Sequence, residues 1–158
     1  MRLTEQEFEI KYGLYKDTIY SIAYTYTHNS FDASDITQDV FMKYLNSTKS
    51  FSSNDDEKYW LIRVTINTSL SYVTSSWKKK VDLLDSLEHA KDEANSEEFN
   101  YYKEIVSLPN KSKEVLILYY YEDLKIEEIA KVLKTNPNVI KKRLQRAREK
   151  LKERLKED

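Results

Sequence analysis

Glycine and proline are almost missing from this chain: one Gly and two Pro in 158 residues. Ordinary globular chains carry roughly 12% of the two together. Sandwiches and barrels need a turn every 8–12 residues or so, and turns are made largely by these residues. An all-β fold is therefore excluded and an all-α fold is expected. The single glycine also removes a Walker loop and a dinucleotide-binding fingerprint, each of which needs several. The chain has no cysteine, so disulfides, thiol catalysis and cysteine zinc sites are out. Its two histidines, His28 and His89, are too far apart for a helical two-histidine metal motif. No metal or other cofactor is expected.

The length suits one ordinary domain or two small ones. No apolar run approaches the 18 or more residues of a spanning helix. The N-terminal residues lack the apolar core of a signal peptide. A cytoplasmic protein with no stable membrane insertion is expected.

The net charge of -1 hides a pattern. Residues 28–57 carry six acids and two lysines; residues 58–80 carry five bases and no acid. Residues 82–104 carry eight acids and two lysines, and residues 131–158 eleven bases and four acids. One basic run is usually a solvated helix face. Two basic blocks around an acidic connector suit a protein that meets nucleic acid at two places. The polar, acidic stretch at 81–98 reads as a linker between a domain at 1–80 and another at 99–158.

Periodicity supplies the helices. Phe8, Tyr12, Tyr15, Ile19, Ile22 and Tyr26 mark one face across 5–27. A second helix is expected from an Asp32 cap to about 45, with Ile36, Val40, Phe41 and Tyr44 inward. A third, over about 56–77, carries Tyr59, Ile62, Ile66, Leu70, Val73 and Trp77. Its Ile62, Val64 and Ile66 also alternate as a strand would, but the helical pattern persists for about 20 residues. Further helices are expected at 97–107, 111–121, 125–133 and from Pro137 to about 156. The first of the last two carries Ile126, Ile129, Ala130 and Leu133, and the second has Ile140, Leu144, Ala147, Leu151 and Leu155 as its apolar stripe; Ile129, Ala130, Leu133, Val139 and Ile140 hold the pair at a fixed angle.

A short helix at 125–133, a three-residue turn at 134–136 and a longer basic helix form a helix-turn-helix pattern, whose second helix enters the major groove. Asn136, Asn138, Lys141, Lys142, Gln145 and Arg146 fall on or near its outer face. Asn, Gln and Arg suit base edges, and Lys141, Lys142 and Arg143 suit phosphates. Lys125 and the amides beside it suit phosphate as well. Lys134 stands where such turns usually have glycine, at some conformational cost.

Several segments in order resemble the RNA polymerase sigma factors of the sigma-70 family, and more narrowly the extracytoplasmic-function group. Asp32-Ala-Ser-Asp35-Ile-Thr-Gln38-Asp39-Val-Phe41 is similar to the family's region-two motif. Tyr59-Trp60-Leu61 and Asn67 are similar to its Trp-Leu…Asn segment. Leu108-Pro109, then Glu128-Ile129-Ala130, then Arg146-Ala147-Arg148-Glu149-Lys150-Leu151, are similar to region four. The resemblance covers nearly the whole chain. It implies two small helical domains, docking on the clamp coiled coil of the largest subunit of core RNA polymerase, and recognition of two promoter elements. It assigns polymerase docking to Asp32, Asp35, Gln38, Asp39 and Met42. It assigns the minus-ten element to Asn67, Ser71, Tyr72, Trp77, Lys78, Lys79 and Lys80, where aromatics stack on unpaired bases and lysines hold phosphates. It assigns the minus-thirty-five element to Lys125, Asn136, Asn138, Lys141, Lys142, Gln145 and Arg146. Ser71 departs from the family's usual Asp, and nearby arginines are replaced by Tyr, Thr and Ser. Trp77 also suits core packing. An anti-sigma factor is a common partner in the family, and no residue pattern here identifies one. No side chains form a catalytic constellation, so no enzyme is expected. Two other readings stay open: a stand-alone helix-turn-helix regulator, and a sigma-like protein acting only through protein contacts.

Overall fold

A computed structural model of the chain describes residues 3–82 and 103–157, with side chains at 3–75 and 103–156. Among these residues all regular structure is helical. The chain divides into two compact units: Met1–Tyr72 with Lys131–Lys134, and Val73–Ala130 with Thr135–Asp158. Of the expected linker, residues 83–98 lie outside the described residues.

Helices α1 (Glu5–Thr27) and α2 (Ser30–Asn46) and the first part of α3 (Asn54–Asp82) build the first unit. Thr4 caps α1 by accepting from the Glu7 N–H at 3.1 Å. The helix ends at His28, whose φ of 50° is left-handed and whose N–H donates to the Tyr24 carbonyl. Glycine usually fills that place. Only His28 and Asn29 then separate the two helices, so α2 folds straight back along α1.

The cap of α2 is Asn29, not Asp32: its side chain accepts from the Asp32 N–H at 3.0 Å. The helix thus starts three residues before the place Asp32 suggested, and Asp32 sits in the first turn, where a carboxylate favours the helix dipole. Tyr15, Ile19 and Ala23 of α1 pack with Ala33, Ile36, Val40, Phe41 and Tyr44 of α2 and Leu61 of α3. Tyr12, expected on the inward face, is 42% exposed. It lies at the rim, its ring 4.8 Å from that of Phe41, with the Lys16 ammonium over it at 5.7 Å. The 62–66 stretch is helical, with Ile62 and Ile66 buried and Val64 half-buried.

A buried carboxylate ties the three helices together. Glu57, in the first turn of α3, accepts from Tyr15 Oη at 3.2 Å and Tyr44 Oη at 2.8 Å and pairs with Lys11 Nζ at 2.8 Å. Burial, then the neighbouring Glu57 charge, pushes the Tyr15 hydroxyl up to about 12. Tyr44 is pushed up further by burial and by its hydrogen bond to Glu57.

In the second unit residues 103–106 are helical; Phe99 and Tyr102 of the expected 97–107 helix lie outside the described residues. The expected 111–121 helix is α4 (Asn110–Leu116) running into a π-helical turn at Ile117–Tyr121. The wider turn closes with the Glu122 N–H on the Ile117 carbonyl, and Asp123 reverses the chain at φ 54°. Helices α5 (Ile126–Val132) and α6 (Pro137–Glu157) follow. Val115, Leu116, Ile117, Leu118, Ile129, Ile140, Leu144 and Ala147 are buried. Val132, rather than the expected Leu133, is the buried residue that ends α5, because the helix stops there and Leu133 enters the turn half-buried. At the far end of α6 Leu151 is half-buried and Leu155 exposed, so the expected stripe outruns its core.

Candidate polymerase and nucleic-acid interfaces

The inward set Ile36, Val40 and Tyr44 fixes the rotation of α2 and leaves its opposite side in solvent. Asp35, Gln38, Asp39 and Met42 are all exposed there, and Asp32 is half-buried beside them. Met42 is 55% exposed. The same stripe carries two residues that the sequence reading passed over: Phe31, 81% exposed, and Leu45, 39% exposed. Phe31, Asp35, Gln38, Met42 and Leu45 follow one another at spacings of four, three, four and three, so the periodicity that located the core also located them. The result is an acidic, amide-bearing face with apolar ends, suited to a basic partner with apolar contacts of its own.

On α3, Asn67 and Ser71 are exposed. Tyr72 differs from them. Its ring is half-buried against the α1–α2 core, and its hydroxyl donates to Asp35 Oδ2 at 3.2 Å. Burial raises the Tyr72 hydroxyl, and the carboxylates of Asp32, Asp35 and Asp39 raise it further. Lys43 Nζ donates to Thr68 Oγ1 at 2.9 Å, a further tie between α2 and α3 beside Tyr44–Glu57 and Tyr72–Asp35. The backbone at Trp77, Lys78, Lys79 and Lys80 continues α3, and their side chains lie outside the described residues.

The helix-turn-helix forms as its sequence implied. Lys134 adopts φ 54° in the turn, and the Thr135 N–H donates to the Ala130 carbonyl at 2.9 Å. Asn136 caps α6, its side-chain oxygen accepting from the Val139 N–H at 3.0 Å. With Ile140, Leu144 and Ala147 inward, Asn138, Lys141, Lys142, Gln145 and Arg146 are exposed together on the outer side. Arg143 is turned the other way: it is half-buried and pairs with Glu114 of α4 at 3.5 Å. Burial raises the Glu114 carboxyl, and the Arg143 charge opposes that rise. Arg143 therefore braces α6 instead of facing phosphate. Arg148 lies 5.5 Å from the rings of both Tyr119 and Tyr120, and its Nε donates to Tyr120 Oη at 2.6 Å. The Lys125 side chain is exposed, but its backbone N–H is occupied by Glu128 Oε1 at 3.0 Å.

The family model described as "Sigma-70 region 2" matches residues 12–79, and that described as "Sigma-70, region 4" matches residues 99–151. "RNA polymerase sigma factor SigV" of Bacillus subtilis is 30% identical over 136 residues, spanning 84% of this chain and 81% of that protein. This chain belongs to the sigma-70 family. Its relatives place it in the extracytoplasmic-function group. "ECF RNA polymerase sigma factor SigW" of Bacillus subtilis is 28% identical, over 91% of this chain and 86% of its own length. Two solved structures share the fold. CnrH, in complex with the cytosolic domain of CnrY, superposes with a TM-score of 0.70 at 21% identity, covering 98% of this chain and 91% of that one. The sigma factor RpoE, in complex with the anti-sigma factor NepR from Bartonella quintana, gives 0.64 at 22% identity, covering 97% and 99%. Helix α2 lies inside the region-two match, and α5 and the first 15 residues of α6, up to residue 151, lie inside the region-four match. Among the described residues no helix is long and apolar enough to cross a membrane, and no group of three or more His, Asp or Glu is placed to hold a metal ion.

Proposed function

We propose that this protein is a sigma factor that directs core RNA polymerase to specific promoters. Helix α2 docks on a basic element of the polymerase, the clamp coiled coil of its largest subunit, through Asp35, Gln38, Asp39 and Met42, with Asp32 at the edge. Helix α6 reads the minus-thirty-five element in the major groove. Gln145, Arg146 and Asn138 face base edges there, and Lys141 and Lys142 face phosphates. Asn136 holds the start of that helix in register, and the Lys125 side chain reaches the backbone. Asn67 and Ser71, with Trp77, Lys78, Lys79 and Lys80 further along α3, meet the minus-ten element, where the strands open. The protein acts in the cytoplasm by recruitment and strand separation, and bond-forming chemistry stays with the polymerase. Its partners are core polymerase, promoter DNA and an anti-sigma factor, the kind of partner with which the solved relative RpoE was captured.

One observation favours this reading over a stand-alone regulator: the exposed acidic and apolar face of α2. A protein that only grips duplex DNA gains nothing from three carboxylates and an exposed Phe31 on one helix. Run-off transcription from sheared chromosomal DNA tests the proposal. Core polymerase with the protein should start at discrete sites that core alone does not use. Random starts, with tight duplex binding by the protein alone, would favour the stand-alone regulator.

A further inference from the structure

The family resemblance assigns Tyr72 to the minus-ten contacts, where an aromatic can stack on an unpaired base. A stacking ring needs an open face. The Tyr72 ring is half-buried against the α1–α2 core, and its hydroxyl is already engaged, donating to Asp35 Oδ2 at 3.2 Å at the solvent-exposed surface. Asp35 stands in the middle of the exposed stripe, between Phe31 and Gln38. An exposed Asp on a helix moves among rotamers, and docking must freeze it. A carboxylate accepts about four hydrogen bonds on its two oxygens. One donor on Oδ2 therefore fixes the group while leaving Oδ1 open to an incoming Arg or Lys.

We propose that Tyr72 is a positioning residue of the polymerase-docking face, its hydroxyl holding the Asp35 carboxylate in the orientation that a basic group of the polymerase meets. This rests on the reading of α2 as that face. The same hydrogen bond links the docking helix to α3, so polymerase bound at Asp35 also steadies the helix that carries Asn67 and Ser71.

The test is a double-mutant cycle on affinity for purified bacterial core RNA polymerase, with Tyr72→Phe, Asp35→Ala and the double variant beside wild type. Phenylalanine keeps the ring and its packing and removes only the donor. Tyr72→Phe should weaken core binding about two- to tenfold, the scale of one frozen side chain, and should have no further effect once Asp35 is alanine. A ring that served only packing or base stacking would not produce that coupling. Wild-type core affinity in Tyr72→Phe, with Asp35→Ala clearly weakened, would overturn the positioning role and leave the docking face intact. Unchanged affinity in Asp35→Ala would overturn both. An equal loss from Tyr72→Phe in both backgrounds would also overturn it, because the effect would then not pass through Asp35.

Discussion

Gly13 sits within α1, is exposed, and has nothing beyond its chain neighbours and its own helix backbone within 4 Å of where a β-carbon would lie. Glycine in a helix interior costs about 1 kcal/mol relative to alanine. Gly13→Ala should therefore raise unfolding stability by about 0.5–1 kcal/mol, read from urea titrations. Glu57 makes the opposite case, a polar residue whose value lies wholly in its neighbours. Its partner Tyr15 is 42 residues away in sequence, and Tyr72 is 37 from Asp35. No periodicity links such pairs, so neither contact was legible before folding. The Glu57 hub sets an alkaline limit. Tyrosines with a raised folded value keep their protons longer in the folded state than in the unfolded one. Their contribution is complete below pH 10, the ordinary tyrosine value, and is lost as pH climbs toward the folded value, about 12 for Tyr15. Stability should fall over pH 10–12, and the Tyr15→Phe/Tyr44→Phe variant should show a shallower fall from a lower starting point. An unchanged slope in that variant would place the alkaline limit elsewhere.

At the scale of elements the sequence was most informative where a helix has one buried stripe. The 5–27 span matches α1 at both ends. Asn29, Asp32 and Asp35 are all able caps, so sequence alone does not choose among them, and the structure uses Asn29, three residues before Asp32. The π-helical turn after α4 was illegible, since Ile117–Tyr121 reads as a further turn of ordinary helix. Scarcity of glycine has a structural consequence: His28, Asp123 and Lys134 each take positive φ where glycine is usual. Left-handed backbone costs a non-glycine residue roughly 1–2 kcal/mol, offset in part by the greater unfolded-state freedom of glycine. Lys134→Gly should stabilise the protein by about 0.5–1 kcal/mol, seen as a higher melting temperature, and Lys134→Val should lower it. The outer face of α6 makes a separate prediction. Lys141→Ala should weaken holoenzyme binding to any promoter about equally and reduce the salt slope by about one. Gln145→Ala should instead relax selectivity at one base position, measured by selection from a randomised minus-thirty-five site.

For the whole molecule, composition alone set the fold class and motif order set the family. The chain folds as two small helical units, and acidic and basic blocks alternate along it without assigning one sign to each unit. The face of α2 was legible because a helix with Ile36 and Val40 inward must show Asp35, Gln38 and Met42 outward. The inward turn of Arg143 toward Glu114 was not, because every base on α6 looks alike until α4 packs against it. Sigma function in this chain requires that the α2 face meet polymerase. Equilibrium binding of the purified full chain to bacterial core RNA polymerase, with wild type beside an Asp35→Ala/Gln38→Ala variant of equal melting temperature, measures it most directly. The prediction is tight binding by wild type and a loss of at least about tenfold in the variant, about 1.4 kcal/mol. Equal affinity of the two proteins, or no binding by either, would contradict it.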